Sequence, residues 1–323
     1  MVEGNWSGLR WHGHIDVEEV RARLDAGADP HLAHRARPLH TAAAYCPPDV
    51  VSLLASRVDD VDAESDGRTA LWDAVYARRP DNVRALVAAG ADPWRPMMSG
   101  WSPGRLSLAG PTPLAAPARH PGLTPAETAA AEEGHRLTTA IGDLHSEGDS
   151  LACVAGVDAA EAARRLGGTP VEPAEMDTLW EAWSVADWND IEDEVIRYVG
   201  ITDVPGGCVV LQQQGYLVDS PGILSRLSAG TVCYGMYANP KSGNQGSITR
   251  DGRSVGWDLS PGGLPTAGYP AEEILASYLY ANNPVAHCAA HVGIRPTDAR
   301  PFAGPPDLWL RLPARDYWTW PAE

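Results

Sequence analysis

Two histidines and a cysteine near the C-terminal end have the types and the spacing that could carry chemistry. His287 and His291 stand four residues apart in the segment P-V-A-H-C-A-A-H. On a helix both imidazoles would face the same side and could bind one metal ion. Cys288 lies between them and is a candidate nucleophile. These three residues are the catalytic candidates of the sequence.

The residues around this segment favour a structural role instead. A glutamate between such histidines would make a metal-dependent hydrolase motif, but residues 288–290 are Cys, Ala and Ala. Histidines in this setting more often cap or pack a helix, and a lone cysteine more often behaves as a small buried apolar residue. The sequence also contains no phosphate-binding glycine loop and no G-x-S-x-G motif. We therefore expect no metal and no cofactor, and whether the protein is an enzyme stays open.

A second group of reactive side chains is the acidic segment from Asp187 to Glu194. Acid–base catalysis would need two carboxylates that converge in a cleft, and this pattern does not enforce convergence. The segment is more typical of a solvated acidic face. Trp180, Trp183 and Trp188 are interleaved with it, so docking of a basic partner is the alternative.

The formal net charge of −17 limits the possible partners. Most of it lies after residue 110, and such a surface repels phosphate backbones, so we expect a protein or peptide partner and no nucleic acid. The five cysteines are scattered and form no C-x-x-C pair, which favours reduced thiols. The sequence shows no secretion signal and no long apolar run, so we expect a cytoplasmic protein without a membrane span. It does not indicate the oligomeric state.

The N-terminal third contains an internal repeat. G-A-D-P occurs at residues 27–30 and again at 90–93, a distance of two units of about 32 residues. V-D-D-V-D at residues 58–62 stands in the place of the middle copy. R-P-L-H at residues 37–40 recurs as T-A-L-W at residues 69–72. Two motifs that share one period indicate a helical repeat.

One complete repeat occupies residues 63–94. Asp66 and Gly67 are typical of a tight turn, and Thr69 is a typical cap for the helix that follows. Gly90 is expected to end a second helix, because glycine adopts the left-handed conformation at low cost. The pattern therefore predicts a turn followed by two short helices.

These motifs resemble the ankyrin repeat, with its T-P-L-H helix start and its G-A-D ending. Residues 32–62 and 63–94 match well, residues 5–31 resemble a degenerate first repeat, and residues 99–109 resemble the start of a fourth. The resemblance implies a short helical solenoid over residues 1–110 and a concave face that binds proteins.

The resemblance also assigns residues to that face. Mapped position by position, the partner-binding residues are Arg35, Tyr45, Arg68, Asp73, Tyr76, Trp94 and Trp101. Exposed aromatic and arginine side chains are frequent binding hot spots. The alternative is that the C-terminal part of the same chain covers this face. His40 stands where the family has a histidine that supports the turn, and Trp72 takes that place in the next repeat.

The pattern in the rest of the chain predicts a connector and a second domain. Residues 111–147 combine a proline-rich stretch with a helix that is capped by Thr124, runs from residue 125 to about 145 and bridges the domains. Residues 148–323 alternate short strands and helices, which predicts an acidic α+β domain with an antiparallel sheet. One long helix is expected over residues 270–291. The predicted fold is an ankyrin solenoid followed by this α+β domain.

The order of elements in the second domain resembles an uncharacterised actinobacterial α+β domain family. The motifs that carry this resemblance lie at residues 154–157, 164–167, 215–216, 220–228 and 251–253. The match spans residues 148 to about 290 and implies a fold, since the family has no assigned activity. Lys241 is the only lysine beside many arginines, a bias typical of GC-rich bacteria.

Together these patterns favour a cytoplasmic bacterial interaction protein of the immunity, antitoxin or regulatory type, which binds a protein or peptide through the ankyrin face. The alternative is an enzyme, such as a peptide-tailoring enzyme, whose ankyrin part recruits the substrate and whose C-terminal domain holds the active site.

Overall fold

The structure is a computed structural model. It describes residues 5–11, 15–31, 37–116, 120–144, 146–186, 194–258, 260–265 and 268–320. The chain divides into two compact units, of which the first comprises residues 1–132 and 264–281 and the second comprises residues 133–263 and 282–323. Residues 264–281, which the sequence placed in the C-terminal domain, therefore belong to the unit that contains the repeats.

The first unit contains the short helices of the repeats. These are α1 (Val17–Asp25), α2 (Pro38–Tyr45), α3 (Pro48–Ala55), α4 (Ala70–Tyr76), α5 (Pro80–Ala88) and α6 (Pro103–Ser107). Four of them begin with proline, which fits the first helical turn because its N–H groups have no partner within the helix. Thr69 accepts a hydrogen bond from the Trp72 N–H and caps α4, as the sequence predicts.

Equivalent helices of successive repeats stack on one another. Helix α2 packs against α4, and α3 packs against α1 and α5. Leu54, Leu71 and Leu86 are fully buried between them. Asn82 of α5 is also buried, and its Nδ2 donates to the carbonyl oxygens of Ala43 and Cys46, both at 2.9 Å. A side-chain amide thus ties the repeat of residues 63–94 to the one before it.

The turn before α4 is a small hairpin, here called the 63–68 finger. Ser65 and Arg68 pair as an isolated antiparallel bridge. Between them Asp66 and Gly67 have φ angles of +51° and +73°. Asp-Gly favours this left-handed pair of conformations, so the predicted turn is confirmed.

The turn before α6, here called the 97–101 finger, has a different geometry. The Met97 N–H donates to the Trp101 carbonyl oxygen at 2.7 Å. Residues 98–100 form a single 3-10 turn in which Ser99 has a φ of +49°. Trp72, which takes the place of His40 in the repeat of residues 63–94, is fully buried.

The second unit is built on an eight-stranded antiparallel sheet, as the sequence predicts. Its strands are β1 (Ser150–Ala155), β2 (Thr169–Val171), β3 (Tyr198–Val204), β4 (Gly207–Gln212), β5 (Val232–Asn239), β6 (Gly243–Arg250), β7 (Arg253–Asp258) and β8 (Leu308–Arg311). Their spatial order is β2-β8-β3-β4-β1-β5-β6-β7. The predicted hairpin at Asp251 and Gly252 joins β6 to β7.

Helices cover the sheet. They are α8 (Ala159–Leu166), α9 (Pro173–Trp183), α10 (Pro221–Leu227), α12 (Pro284–Val292) and α13 (Arg300–Ala303). Leu166 of α8 and Leu224 of α10 share a buried core with Val210 and Cys233 of the sheet. Helix α12 packs against β1 and β5, whose side chains alternate between the two faces.

Two further helices lie in the described part of the chain. Helix α7 (Pro125–Ile141) starts in the first unit and ends in the second. Its start is the predicted capping box, in which the Thr124 N–H donates to Glu127 Oε2 at 2.8 Å and the Glu127 N–H donates to Thr124 Oγ1 at 3.2 Å. Helix α11 (Ala271–Leu279) belongs to the first unit. None of the described helices is long and apolar enough to cross a membrane.

The predicted single helix over residues 270–291 is wrong. Helix α11 ends at Leu279, and α12 begins at Pro284. Asn282 adopts a φ of +62°, and the Asn283 side chain accepts the Ala286 N–H at 3.0 Å as the cap of α12. Pro284 cannot continue a preceding helix, because proline lacks an N–H and clashes with the turn before it.

Candidate partner-binding surface and histidine cluster

Two predicted partner-binding residues, Arg68 and Asp73, make their main contacts inside the unit. Arg68 Nε donates to Asp73 Oδ1 at 3.0 Å, and Asp73 Oδ2 lies 2.8 Å from His40 Nδ1. His40 Nε2 lies 3.0 Å from the Ala63 carbonyl oxygen. All three side chains are largely buried. This network ties the 63–68 finger to α2 and α4, which is the supporting role that the resemblance implied for His40.

The expectation that Tyr76 and Trp101 are exposed is wrong. Their relative exposures are 7% and 0%. The Tyr76 hydroxyl donates to the Ser277 carbonyl oxygen at 2.8 Å, and Trp101 Nε1 donates to the Ala271 carbonyl oxygen at 2.9 Å. Both rings are therefore covered by α11, a helix that the sequence assigned to the other domain.

Two further side chains hold the same helix. Arg78 Nη2 donates to the carbonyl oxygens of Tyr278 at 3.3 Å and Leu279 at 3.0 Å. Ser99 Oγ donates to the Tyr269 carbonyl oxygen at 2.5 Å. Sequence reasoning missed both residues, because these contacts join positions 170 to 201 residues apart in the chain. A local repeat pattern has no signal for such pairs.

The other predicted residues of this surface have different environments. Tyr45, near the end of α2, is 48% exposed. Trp94 is half-buried and stacks on His120 with ring centroids 4.9 Å apart. Arg35 lies outside the described residues. Tyr45 is thus the predicted residue with the most exposed aromatic surface.

A pocket of about 240 Å³ lies in the first unit beside α11. Val75, Val83, Leu114 and Tyr278 line its apolar part, and Arg78, Arg79 and Arg84 line its polar part. Ligand sites for cofactors commonly have volumes of about 300 to 1,000 Å³. The pocket is therefore smaller than a typical cofactor site.

In the second unit, the predicted histidines lie beside an aspartate and a tyrosine. His287 Nε2 is 3.3 Å from Asp258 Oδ2, and the Tyr234 hydroxyl donates to the same oxygen at 2.7 Å. The Tyr234 ring centroid lies 5.9 Å from that of His287 and 5.1 Å from that of His291. Sequence reasoning found the two histidines but missed Asp258 and Tyr234.

The charges of this cluster follow from its contacts. Burial opposes ionisation of Asp258, but hydrogen bonds from His287, Tyr234 and the Ser260 N–H outweigh it and lower the pKa of Asp258 to about 2. Burial lowers the pKa of His291, with a smaller contribution from the charges of His287 and Arg250. The cluster therefore places an ionised carboxylate beside two imidazoles.

Cys288 has the wrong environment for a nucleophile. Its side chain is fully buried, and its sulfur lies 3.8 Å from the Met236 sulfur. Burial raises the pKa of the Cys288 thiol well above its usual value. A thiol that stays protonated reacts slowly, so these contacts argue against a nucleophile and agree with the small buried apolar residue that the sequence favoured.

No metal centre is present in the part of the chain that the structure describes. No three His, Cys, Asp or Glu side chains in those ranges are arranged to hold an ion. Most of the acidic segment, residues 187–193, lies outside the described residues.

Comparison with known proteins identifies the repeats within the first unit. A family model for ankyrin repeats, in three copies, matches residues 12–97. This range contains α1 to α5 and confirms the predicted solenoid, which is a protein–protein interaction module. No curated protein matches the chain. The resemblance of residues 148–290 to an actinobacterial domain family stays a prediction.

Proposed function

Because residues 12–97 are ankyrin repeats, we propose that the protein binds a protein partner through the face formed by the fingers and the first helices of the repeats. Tyr45 is the proposed exposed contact on this face. The partner also reaches the region of Tyr76 and Trp101, where α11 lies in this structure.

One observation carries the proposal: side chains of the repeats already bind the main chain of a peptide segment. Tyr76, Arg78 and Trp101 donate hydrogen bonds to carbonyl oxygens of α11. Carbonyl oxygens are present in every peptide, so these donors provide affinity that is independent of sequence. Neighbouring aromatic surface then provides selectivity.

The charge of the chain supports a protein rather than a nucleic acid as partner. A net charge of −17 opposes binding to phosphate backbones and favours a partner with basic groups. We place the protein in a bacterial cytoplasm, where it controls its partner as an immunity, antitoxin or regulatory protein.

The test is capture of a partner by a photoreactive amino acid placed at position 44, beside Tyr45, in the full chain. Tyr45→Ala in that chain should abolish the cross-link. Val87→Ala, which alters an exposed apolar residue on α5 of the same unit, is the control and should retain it. An equal cross-link in both variants would contradict the proposal.

A second candidate function is a peptide-tailoring enzyme, favoured by the contacts among Asp258, Tyr234 and His287. An ionised carboxylate that orients an imidazole is a common arrangement in acid–base catalysis. Incubation of the captured partner with the protein should then change the mass of the partner. His287→Ala and His291→Ala should prevent the change, and an unaltered mass with the unmodified chain would exclude this function.

A further inference from the structure

Helix α11 is held by side chains of the first unit in the way that a bound peptide would be. The main chain at its N-terminal end is held by Ser99 and Trp101 of the 97–101 finger, and its C-terminal end is held by Tyr76 and Arg78 at the end of α4. Each of these hydrogen bonds ends on a main-chain oxygen of residues 269–279. The repeats thus recognise this segment through features that any helix of the same length would offer.

The contacts at the C-terminal end match the chemistry of a helix end. The last carbonyl groups of a helix have no partner within the helix and carry a partial negative charge. Arg78 offers them a positive charge, and Tyr76 offers the Ser277 oxygen a hydroxyl. Burial raises the pKa of Tyr76, so this hydroxyl keeps its proton. The repeats therefore cap the docked helix.

The other recognition element is apolar. Ile274, Leu275, Tyr278 and Leu279 of α11 are all buried. They repeat at the spacing of one helix face. Gly110 admits the Tyr278 ring, because a Cβ atom at position 110 would lie 2.0 Å from the Tyr278 hydroxyl oxygen. The groove thus accepts an amphipathic helix with an aromatic residue near its C-terminal end.

We infer that α11 is an internal occupant of a helix-binding groove, and that an amphipathic helix of the partner replaces it. This inference rests on the proposed function and adds the chemistry of the partner and its regulation. A tethered occupant competes at an effective concentration near millimolar, so it suppresses binding of any weaker helix. The partner must therefore present a helix with a better apolar face than that of α11.

The test uses the full chain and a fluorescent synthetic peptide of residues 268–281, with binding followed by anisotropy. A chain opened by Ile274→Asp and Leu279→Asp should bind this peptide at least about 100-fold more tightly than the unmodified chain. Adding Arg78→Ala to the opened chain should remove most of this gain. Adding Arg57→Ala instead is the matched control, because Arg57 is an exposed arginine paired with Asp25, and it should retain the gain.

A folded opened chain that does not bind the peptide, or one that dimerises through residues 268–281 in light scattering, would overturn the inference. If the opened chain does not fold, hydrogen exchange of the unmodified chain shows whether α11 opens locally. The amides of α11 should then exchange by a local opening at lower free energy than those of α4. Equal free energies would identify α11 as a fixed part of the fold. A failure of peptide binding would not affect the cross-link at position 44. The two experiments therefore distinguish failure of this inference from failure of the proposed function.

Discussion

At the scale of single residues, His40 of α2 contacts both the 63–68 finger and α4. It contacts the Ala63 carbonyl oxygen on one side and Asp73 on the other. A buried acceptor that loses its partner costs about 1–3 kcal/mol, because water cannot reach it. His40 therefore stabilises the 63–68 finger rather than binding a ligand.

We predict that His40→Ala lowers the free energy of unfolding of the first unit by about 1–3 kcal/mol. The measurement is urea denaturation followed by circular dichroism. His31→Ala is the matched control, since His31 is exposed and its ion pair with the exposed Asp59 is long, at 3.7 Å. It should change the free energy of unfolding by less than about 0.5 kcal/mol. Equal effects of the two substitutions would refute the supporting role.

Asp258 gives a second prediction at this scale. Its pKa in the folded state is about 2, below the ordinary value of 3.8. A carboxyl whose pKa is lowered in the folded state stabilises the fold at pH values above its pKa in the unfolded state. This contribution is lost as the pH falls from about 4 to about 2. Its size is about 2 kcal/mol. Asp258→Asn should remove this part of the pH dependence of unfolding of the second unit.

The measurement is the urea midpoint between pH 2 and pH 7, followed by the amide signals of β5 and β7. Glu181→Gln, an exposed carboxyl of the same unit, is the control and should leave the pH profile unchanged. An Asp258→Asn variant with the profile of the unmodified protein would show that His287 and Tyr234 do not hold this carboxylate ionised.

At the scale of elements, the close approach between Gly110 and α11 can be tested by adding one methyl group. Gly110→Ala would push the Tyr278 ring out of its buried position, and overpacking of this kind costs about 1–3 kcal/mol. We predict faster proteolysis within residues 264–281. Gly122→Ala is the matched control, because a Cβ atom there would meet nothing within 4 Å. Equal proteolysis of both variants would contradict the packing.

The local elements could be predicted from the sequence wherever the signal was local. Thr69, Asp66 and Gly67 act within a few residues of their own position, and their predicted cap and turn are confirmed. The helix over residues 270–291 was predicted wrongly, although Pro284 and the asparagines before it were visible. Pro284 disfavours a helical conformation of the residue before it, so this local stop signal separates the two helices.

The candidate site was harder to predict, for a physical reason. A repeat pattern shows which side chains leave the solenoid on its concave side, but not what covers them. Tyr76 and Trp101 were wrongly expected to be exposed, because α11, which covers them, is about 170 to 200 residues away in sequence. Asp258 and Tyr234 likewise meet His287 only through the folded sheet.

At the scale of the whole molecule, chain order and unit membership differ. Residues 264–281 complete the first unit, while the residues on either side of them belong to the second. The chain therefore passes from one unit to the other at residues 263–264 and 281–282 as well as within α7. A fragment drawn from the sequence at the end of the repeats would lack α11 and expose the apolar surface that it covers.

We predict that a fragment of residues 1–132 keeps its helices but melts more than about 10 °C below the first unit of the full chain. Each buried apolar side chain of α11 contributes about 1.5–3 kcal/mol, and 1 kcal/mol shifts the melting temperature of a domain of this size by about 2–4 °C. The measurement is thermal unfolding by circular dichroism. Adding the peptide of residues 268–281 should raise the melting temperature in proportion to its concentration, because it binds only the folded fragment. A peptide with the same composition in scrambled order is the control. If the fragment alone melts at the same temperature as the first unit of the full chain, α11 adds no stability to the repeats, and the groove is complete without it.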